Sequence, residues 1–558
     1  MKPTRLDRRT WLKAAMAVVA GPTMASASEQ IAAGSTRNPR RRGRPSRPPC
    51  VPPPSGPLPS GSLPSGALPS GLPIGGRREL FVDDFLIGSL DGLRRVWHQP
   101  LPQEIAIEHD APWEGTGSGY HSVVEEGGRY RLYYRAGPLT LEGKTARFEN
   151  AVICMAASDD GLVWKRPDLG LVVFKGSKAN NIILDAGSLP DASRPIDPGH
   201  LGGVVVDERP GTDPAERYKA LLGVQGEAGL LLIGSADGVR FRLLNREPVL
   251  TGGPFDSQNV ILYDPGAGLY RCYCRGWSGA GYTGERGIRT ATSPDARRWS
   301  EFQPLHYTDP SFGLATQLYT NAVKPYARAP HLLIGLPVRY VERTWDDSLR
   351  ALPQAEERRR RSDVEERYGT AVTETLFMTS RDGVRFAIHD EAFLRPGLER
   401  DGTWLYGQQY PAYQLVETRS SLDPRIKELS LYATERYWHG RGTVLRRHSL
   451  RLDGFASLHA GRAAGELVTP PLVFSGRRLT LNLSTSAAGA ARVAIEQPQG
   501  GPFPGFSLDD AVPLYGDGHA KVVSWKAGPD CGGLAGRPVR LRIRLADADL
   551  YAIQFTES

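Results

Sequence analysis

Cysteine and methionine are scarce, five of each in 558 residues, and this excludes a disulfide-stapled scaffold. Cys50 falls in a Pro-rich stretch, Cys154 and Cys531 stand alone, and Cys272 and Cys274 alternate along one predicted strand. Those two share a face, but no second Cys/His pair accompanies them as a metal site requires, so buried thiols are expected. No apolar run in the body reaches the ~18 residues of a membrane span. Helical periodicity is almost absent. An excess of one charge is missing too. Of 69 Lys+Arg and 61 Asp+Glu, residues 1–77 hold 12 and 2, leaving 57 against 59 in residues 78–558. A near-neutral body has no basic face for phosphates, so no nucleic-acid partner is expected.

What is present begins with a leader. Arg8-Arg9-Thr10-Trp11-Leu12-Lys13 precedes a short apolar stretch, Ala14 to Gly21, and the small-x-small signal Ala25-Ser26-Ala27. This pattern predicts a twin-arginine-like export signal over 1–27 and a mature chain outside the cytoplasm, periplasmic or extracellular. Residues 28–77 are rich in Arg, Pro, Gly and Ser and repeat Leu-Pro-Ser-Gly at 58–61, 63–66 and 68–71. Nothing there can bury a face, which predicts a disordered tether.

Self-similarity dominates the body. Four boxes share a Ser, an Asp and an aromatic: Ser158 to Trp164, Ser235 to Phe241, Ser293 to Trp299 and Ser380 to Phe386. In each, Ser and Asp can accept backbone N–H bonds of a hairpin turn and Gly takes the positive φ; only Ala296 replaces the Gly. Their aspartates, Asp159 and Asp160, Asp237, Asp295 and Asp382, therefore read as architecture. Between the boxes run Tyr130-Arg131-Leu132-Tyr133-Tyr134, Tyr218-Lys219-Ala220-Leu221-Leu222, Tyr270-Arg271-Cys272-Tyr273-Cys274, then HLLIGLPVRYV at 331–341 and ELSLYAT at 428–434. Five such units predict an all-β fold, a five-bladed β-propeller over 78–455. Residues 353–369 read as a solvated surface helix. Beyond Phe455 the box disappears and cleanly alternating strands predict a β-sandwich over 456–558.

The segments ELFVDDFLI (79–87), PWEGTGSGYHS (112–122), FDSQN (255–259), LYTNAVKPYARAPHL (318–332), FMTSRDG (377–383), SLYATERYW (430–438) and RLDGFASLHAG (451–461) resemble a group of exported, planctomycete-type bacterial proteins. That group looks like the five-bladed propeller plus sandwich of glycoside hydrolase family 32, kin to family 43, and the resemblance implies the same fold over 78–558. Family 32 enzymes carry catalytic residues in Trp-Met-Asn-Asp-Pro-Asn-like, Arg-Asp-Pro and Glu-Cys motifs. Here Trp113-Glu114-Gly115 and Phe255-Asp256-Ser257 stand instead and no Glu-Cys pair exists, so catalytic residues do not transfer by motif.

Function in a propeller gathers where the innermost strand of each blade begins. Polar residues precede apolar strands at five such places: Trp113, Glu114, Tyr120 and His121; His200; Asp256, Gln258 and Asn259; Tyr319 and Asn321; Tyr406, Gln408 and Gln409. Amides, imidazoles and aromatic rings suit sugar hydroxyls and faces. Glycoside hydrolysis needs one protonated and one ionised carboxyl group. Asp256 is expected to be the charged one and Glu114, beside Trp113, a proton donor with a raised pKa; Glu114 reads equally as a turn partner. Glu342 is the reserve acid, beside Arg339, with which it reads equally as a bracing ion pair. The expected function is an exported glycosidase acting on an oligo- or polysaccharide. A carbohydrate-binding propeller without catalysis is the alternative. A sialidase-like enzyme would need a three-arginine cluster, for which Arg135 and Arg339 offer themselves. No cofactor is expected; a calcium ion on the axis stays open, without a recognisable oxygen-ligand loop.

Overall fold

The computed structural model describes residues 71–227, 229–279, 283–308 and 316–557. The leader and the tether to residue 70, Cys50 included, lie outside them. Five antiparallel-rich sheets follow one another along the chain. The first contains Gly119–Glu126, Arg129–Ala136, Val152–Ser158 and Ile182–Leu184; the second Ile196–Leu201, Tyr218–Val224, Leu230–Ser235 and Arg242–Leu243, with Val205–Val206 beside them. The third runs from Val260–Asp264 through Leu269–Trp277 and Arg286–Ser293 to Gln303–Pro304. The fourth is built round Ala329–Gly335, Val338–Glu342, Ala371–Ser380 and Arg385–Leu394. In the fifth, Val416–Arg419, Lys427–Glu435 and Val444–Arg451 are joined by Leu101–Glu108 from the early chain.

The lead strands meet at a common hub. Ser122 bridges Tyr413 and Gly203 bridges Val260, both in parallel. Tyr413 Oη bonds the Ile261 carbonyl, and Gln414 Nε2 donates to the Val204 carbonyl at 2.8 Å. The outcome is a propeller-like ring of sheets. Strands such as Tyr218–Val224 are buried along their whole length, because each sheet has another on either side and both faces must be apolar.

The boxes are turns, as expected, and they also tie one sheet to the next. Asp160 Oδ1 accepts from the backbone N–H groups of Leu162 and Val163, and Ser158 Oγ from Gly161 N. Asp237, Asp295 and Asp382 repeat the pattern. The Gly carbonyl of a box then accepts a tyrosine hydroxyl of the preceding sheet: Tyr133 reaches Gly238 at 2.8 Å, Tyr273 reaches Gly383 at 2.9 Å and Tyr432 reaches Gly161 across the ring closure. A Cβ on Gly238 would lie 2.6 Å from the Tyr133 hydroxyl. Ala296, at φ +62°, is the exception, and the residue at the tyrosine position of the sheet before it is Leu221. Where no hydroxyl arrives, a methyl is accommodated.

The second part is a ten-stranded sheet dominated by Arg478–Glu496 against Pro538–Thr556. It corrects two boundaries. Leu72–Gly75, placed in the tether, pairs in parallel with Leu472–Phe474. Glu79–Leu80, Ser89–Asp91 and Arg94–Trp97, placed in the propeller, pair with C-terminal strands. Ile74, Phe81 and Leu86 bury in the same core as Leu479, Ile543 and Phe555, and partners more than 350 residues distant leave no local trace in the alternation of so short a stretch. Asp453 pins this sheet to the ring. Its fully buried carboxylate accepts from Arg78, Arg328, Tyr326 and Asn482.

The 353–369 segment is not a solvated helix. Ala355–Val364 is helical, but Arg358 and Arg361 are buried. Arg358 donates to the carbonyls of Pro353, Gly369 and Trp404, and Arg361 to those of Tyr437 and Trp438. Among the described residues no helix is long and apolar enough to cross a membrane. Cys154, Cys272, Cys274 and Cys531 are buried thiols.

Candidate functional site

At the hub end where the lead strands start, an aromatic wall forms from loops of different sheets. Tyr120 opens the first sheet at φ +50° and its hydroxyl donates to the Asp256 carbonyl at 3.2 Å. Tyr406 donates to the Tyr319 hydroxyl at 2.7 Å, and the Tyr319 ring stacks on Tyr340 and Tyr410. Tyr368 and Trp438 pack on Tyr406 from the helical insert and the fifth sheet. Burial raises the pKa of Tyr120, Tyr406 and Tyr410, so these hydroxyls remain protonated.

Two arginines hold the wall. The Arg275 guanidinium lies 4.0 Å from the Tyr319 ring centre, donates to Asp256 Oδ2 at 2.8 Å and to the Tyr319 carbonyl at 2.7 Å. Arg135 lies 4.1 Å over Tyr120 and donates to the Gly199 carbonyl and the Tyr437 hydroxyl. Sequence reasoning missed Arg275. The signal was in the repeat: Tyr133-Tyr134-Arg135 and Tyr273-Cys274-Arg275 occupy matching positions of their strands.

Asp256 lies in the loop before the third sheet, paired with Arg275 at 2.8 Å. Its side chain is 25% exposed, one oxygen is held by Arg275, and Oδ1 accepts no hydrogen bond among the described residues. Ser257 beside it donates to the Tyr319 carbonyl, so Asp256 and Tyr319 meet from two sheets. His200 also belongs to this end. Its Nδ1 is 2.8 Å from Asp197 Oδ2, and Asp197 was not anticipated. Burial alone would raise the Asp197 pKa, but His200, the Gly199 N–H and the charge of Arg135 leave it lowered.

The amides serve the scaffold instead. Gln258 donates to the His121 carbonyl, Asn259 to the carbonyls of Phe255 and Ser257, Asn321 to that of Tyr273, and Gln408 to that of Pro396. Lead-in loops expose carbonyls that need donors, and these side chains supply them. Gln409 does the same for the Arg395 carbonyl. Arg339 is turned to Glu374 and the Asp390 carbonyl, so it neither braces Glu342 nor joins Arg135 in a cluster. Glu342 is exposed at the end of its strand, two residues past Tyr340.

Glu114 does not fit a proton donor. Its side chain is sealed from solvent, Oε2 accepts from Ala111 N and Arg166, and Oε1 from Tyr134 and Arg166. Burial raises its pKa, but the hydrogen bonds and charges of His109 and Arg166 outweigh that and hold it far below the usual carboxylate range. His109 also bonds His121 ring to ring at 2.8 Å, so Glu114, His109 and His121 form a buried chain behind the first sheet. Burial keeps His121 neutral by pushing its pKa well down. Trp113 joins this cluster through Asn181. No group of three or more His, Cys, Asp or Glu side chains among the described residues is placed to hold a metal ion.

No protein-family model matches the chain, and no curated protein matches it. Among solved structures it is similar to an N-acetylgalactosamine deacetylase from F. plautii in complex with blood group B trisaccharide, at 15% identity over 64% of this chain and 96% of that one, with a TM-score of 0.38. It is similar to a glycoside hydrolase family 43 arabinoxylan arabinofuranohydrolase from Bacillus subtilis, at 11% identity over 82% and 99%, TM-score 0.36. A GH32 β-fructofuranosidase of Bombyx mori gives 12%, 83%, 94% and 0.33. Such identities and TM-scores establish no family and no activity for this chain.

Proposed function

We propose that the chain is an exported glycosidase that hydrolyses an oligo- or polysaccharide in the axial pocket of a propeller whose five blades are the five sheets. The leader would span 1–27, the remaining tether would precede Leu72, and the sandwich would be shared by both chain ends. The supporting observation is Asp256, a carboxylate with one oxygen fixed by Arg275 and the other without a hydrogen bond among the described residues, set among tyrosine rings contributed by three sheets. An ionised carboxylate beside an aromatic floor can attack a sugar's anomeric carbon or activate water.

Glu342 is assigned the proton donor. It lies on the same strand face as Tyr340, and the Tyr340 ring stacks on Tyr319, whose carbonyl shares the Arg275 guanidinium with Asp256. Asp197 and His200 would hold substrate hydroxyls, and Glu114 would support the first sheet. Replacing Asp256→Asn or Glu342→Gln should each lower turnover of a cleaved glycan by about 10²–10⁴. Full activity in both variants would remove the site assignment.

The second reading, carbohydrate binding without catalysis, is favoured by the Asp256–Arg275 ion pair, which could leave Asp256 a purely structural anchor. Saccharide affinity in the native chain with no turnover on any plant or algal glycan would select it.

A further inference from the structure

We propose that the saccharide taken by this site is anionic, with its carboxylate or sulfate ester seated against Arg286 and Arg289 in the cavity next to Tyr319. This rests on the saccharide reading above and names the substrate class. A cavity of about 770 Å³ opens on the third sheet, with Trp277, Arg286, Arg289, Phe302 and Leu318 among its walls. Its volume is that of small-ligand sites in general. Arg286 connects it to the aromatic wall, since its guanidinium lies 4.8 Å from the Tyr340 ring centre and 5.5 Å from that of Tyr319.

Both arginines stack on rings, and neither forms an ion pair among the described residues. Arg286 lies 4.6 Å over Trp277 and Arg289 lies 3.9 Å over Phe302. Their hydrogen bonds go to uncharged oxygens: Arg286 to Gln317 Oε1, Arg289 to the carbonyls of Arg275 and Gly252. Arg286 Nε and Arg289 Nη2 are buried and donate to nothing among the described residues. Burial lowers the Arg289 pKa, as desolvation does for a cation.

Arg358 shows what a purely structural buried arginine looks like here, with Nε, Nη1 and Nη2 each on a backbone carbonyl. Arg286 and Arg289 keep donors in reserve, on a wall with one carboxylate among its described residues, Glu285. Guanidinium donors pair best with planar or tetrahedral anionic oxygens, and in a partly dry cavity such bonds are stronger than neutral ones. A uronate carboxylate and a sugar sulfate both offer that chemistry.

The test uses the native chain with Arg286→Met and Arg289→Met, which keep the apolar stems. Tri-galacturonate, a sulfated galactan oligosaccharide and an uncharged galacto-oligosaccharide are titrated by calorimetry at about 50 and 300 mM salt, and each is assayed for cleavage. One anionic probe should bind, weaken several-fold with salt, and bind about tenfold or more weakly to each variant; which probe binds separates carboxylate from sulfate. Should one variant unfold, the other and the salt dependence still decide. If the uncharged probe is bound and cut equally by native and variant chains, the anionic substrate is overturned and the glycosidase reading stands. If an anionic probe binds in the expected way but is never cut, the anion site stands and hydrolysis falls. If no probe binds, both fall.

Discussion

His448 carries a consequence that its own chemistry sets. It is 4% exposed, its Nδ1 has no hydrogen-bond partner among the described residues, and it lines a cavity with Arg400, Glu435 and Arg446. Burial pushes its pKa down to about 4, with Glu435 only partly opposing. Because the folded pKa is depressed, an unfolded chain takes up a proton below the ordinary histidine value while the native chain does not. Stability therefore falls between pH 6.5 and about 4, by up to ~3 kcal/mol from this residue alone. Urea unfolding at pH 7.5 and pH 5 should show about 2 kcal/mol of that loss in the native chain and a smaller one in His448→Gln. Residue identity singled out Asp256 and Tyr319 because each stands just before an apolar strand, and the structure holds the two close together through Ser257 and Arg275. The same reasoning overvalued Gln258, Asn259, Asn321 and Gln408, whose donors are consumed by carbonyls of their own or neighbouring loops. For Glu114 the turn-partner reading fits, since it accepts the Ala111 N–H, while the proton-donor reading does not, because Arg166, which helps hold its charge, lies 52 residues further on.

The turn boxes carry the stability argument for elements. Each Gly box presents a carbonyl to a tyrosine one sheet away, so the turn and the strand hold each other. Tyr432→Phe should leave the Gly161 carbonyl without its donor and cost about 1–3 kcal/mol. Gly161→Ala should cost more, about 2–4 kcal/mol, since φ is +76° and the added carbon would meet Thr418 Cγ2 at 2.8 Å. Ala296→Gly, at the position without a tyrosine, should change stability by less than about 1 kcal/mol. Chemical denaturation of the three variants checks the order. The boxes and the aromatic-basic strands made the sheets legible, since both repeat. The helical insert was not legible, because charge on Ala355–Val364 looks the same whether arginines face water or the carbonyls of Trp404, Tyr437 and Trp438.

At the scale of the molecule, the ring and the ten-stranded sheet share buried contacts and are expected to unfold together. Leu80, Val82 and Ala552 share a core with residues of the third and fourth sheets, and Asp453 joins Arg78 and Asn482 of one part to Arg328 and Tyr326 of the other. Removing that carboxylate takes the acceptor from Arg78, Arg328, Tyr326 and Asn482 at once and leaves the two arginines only Gln554 and Glu417 among the described residues, so Asp453→Ala should cost about 3–5 kcal/mol. A single shared thermal transition that moves as a whole, instead of two that separate, is the expected calorimetric trace. Sequence reasoning divided the chain at Phe455 because the repeat ends there, and composition gave no hint that residues 72–97 return to the far end. The ring is closed in a similar way: Gln103 and Arg446, bonded across the fifth sheet, are 343 residues apart in the chain. On a ribosome adding about 5–20 residues per second, the strand made first must wait roughly 20–70 s for its mate. During that interval Leu101–Glu108 is an unpaired edge, so a helper that shields nascent β-strands should raise the yield of native protein more than one that acts after release.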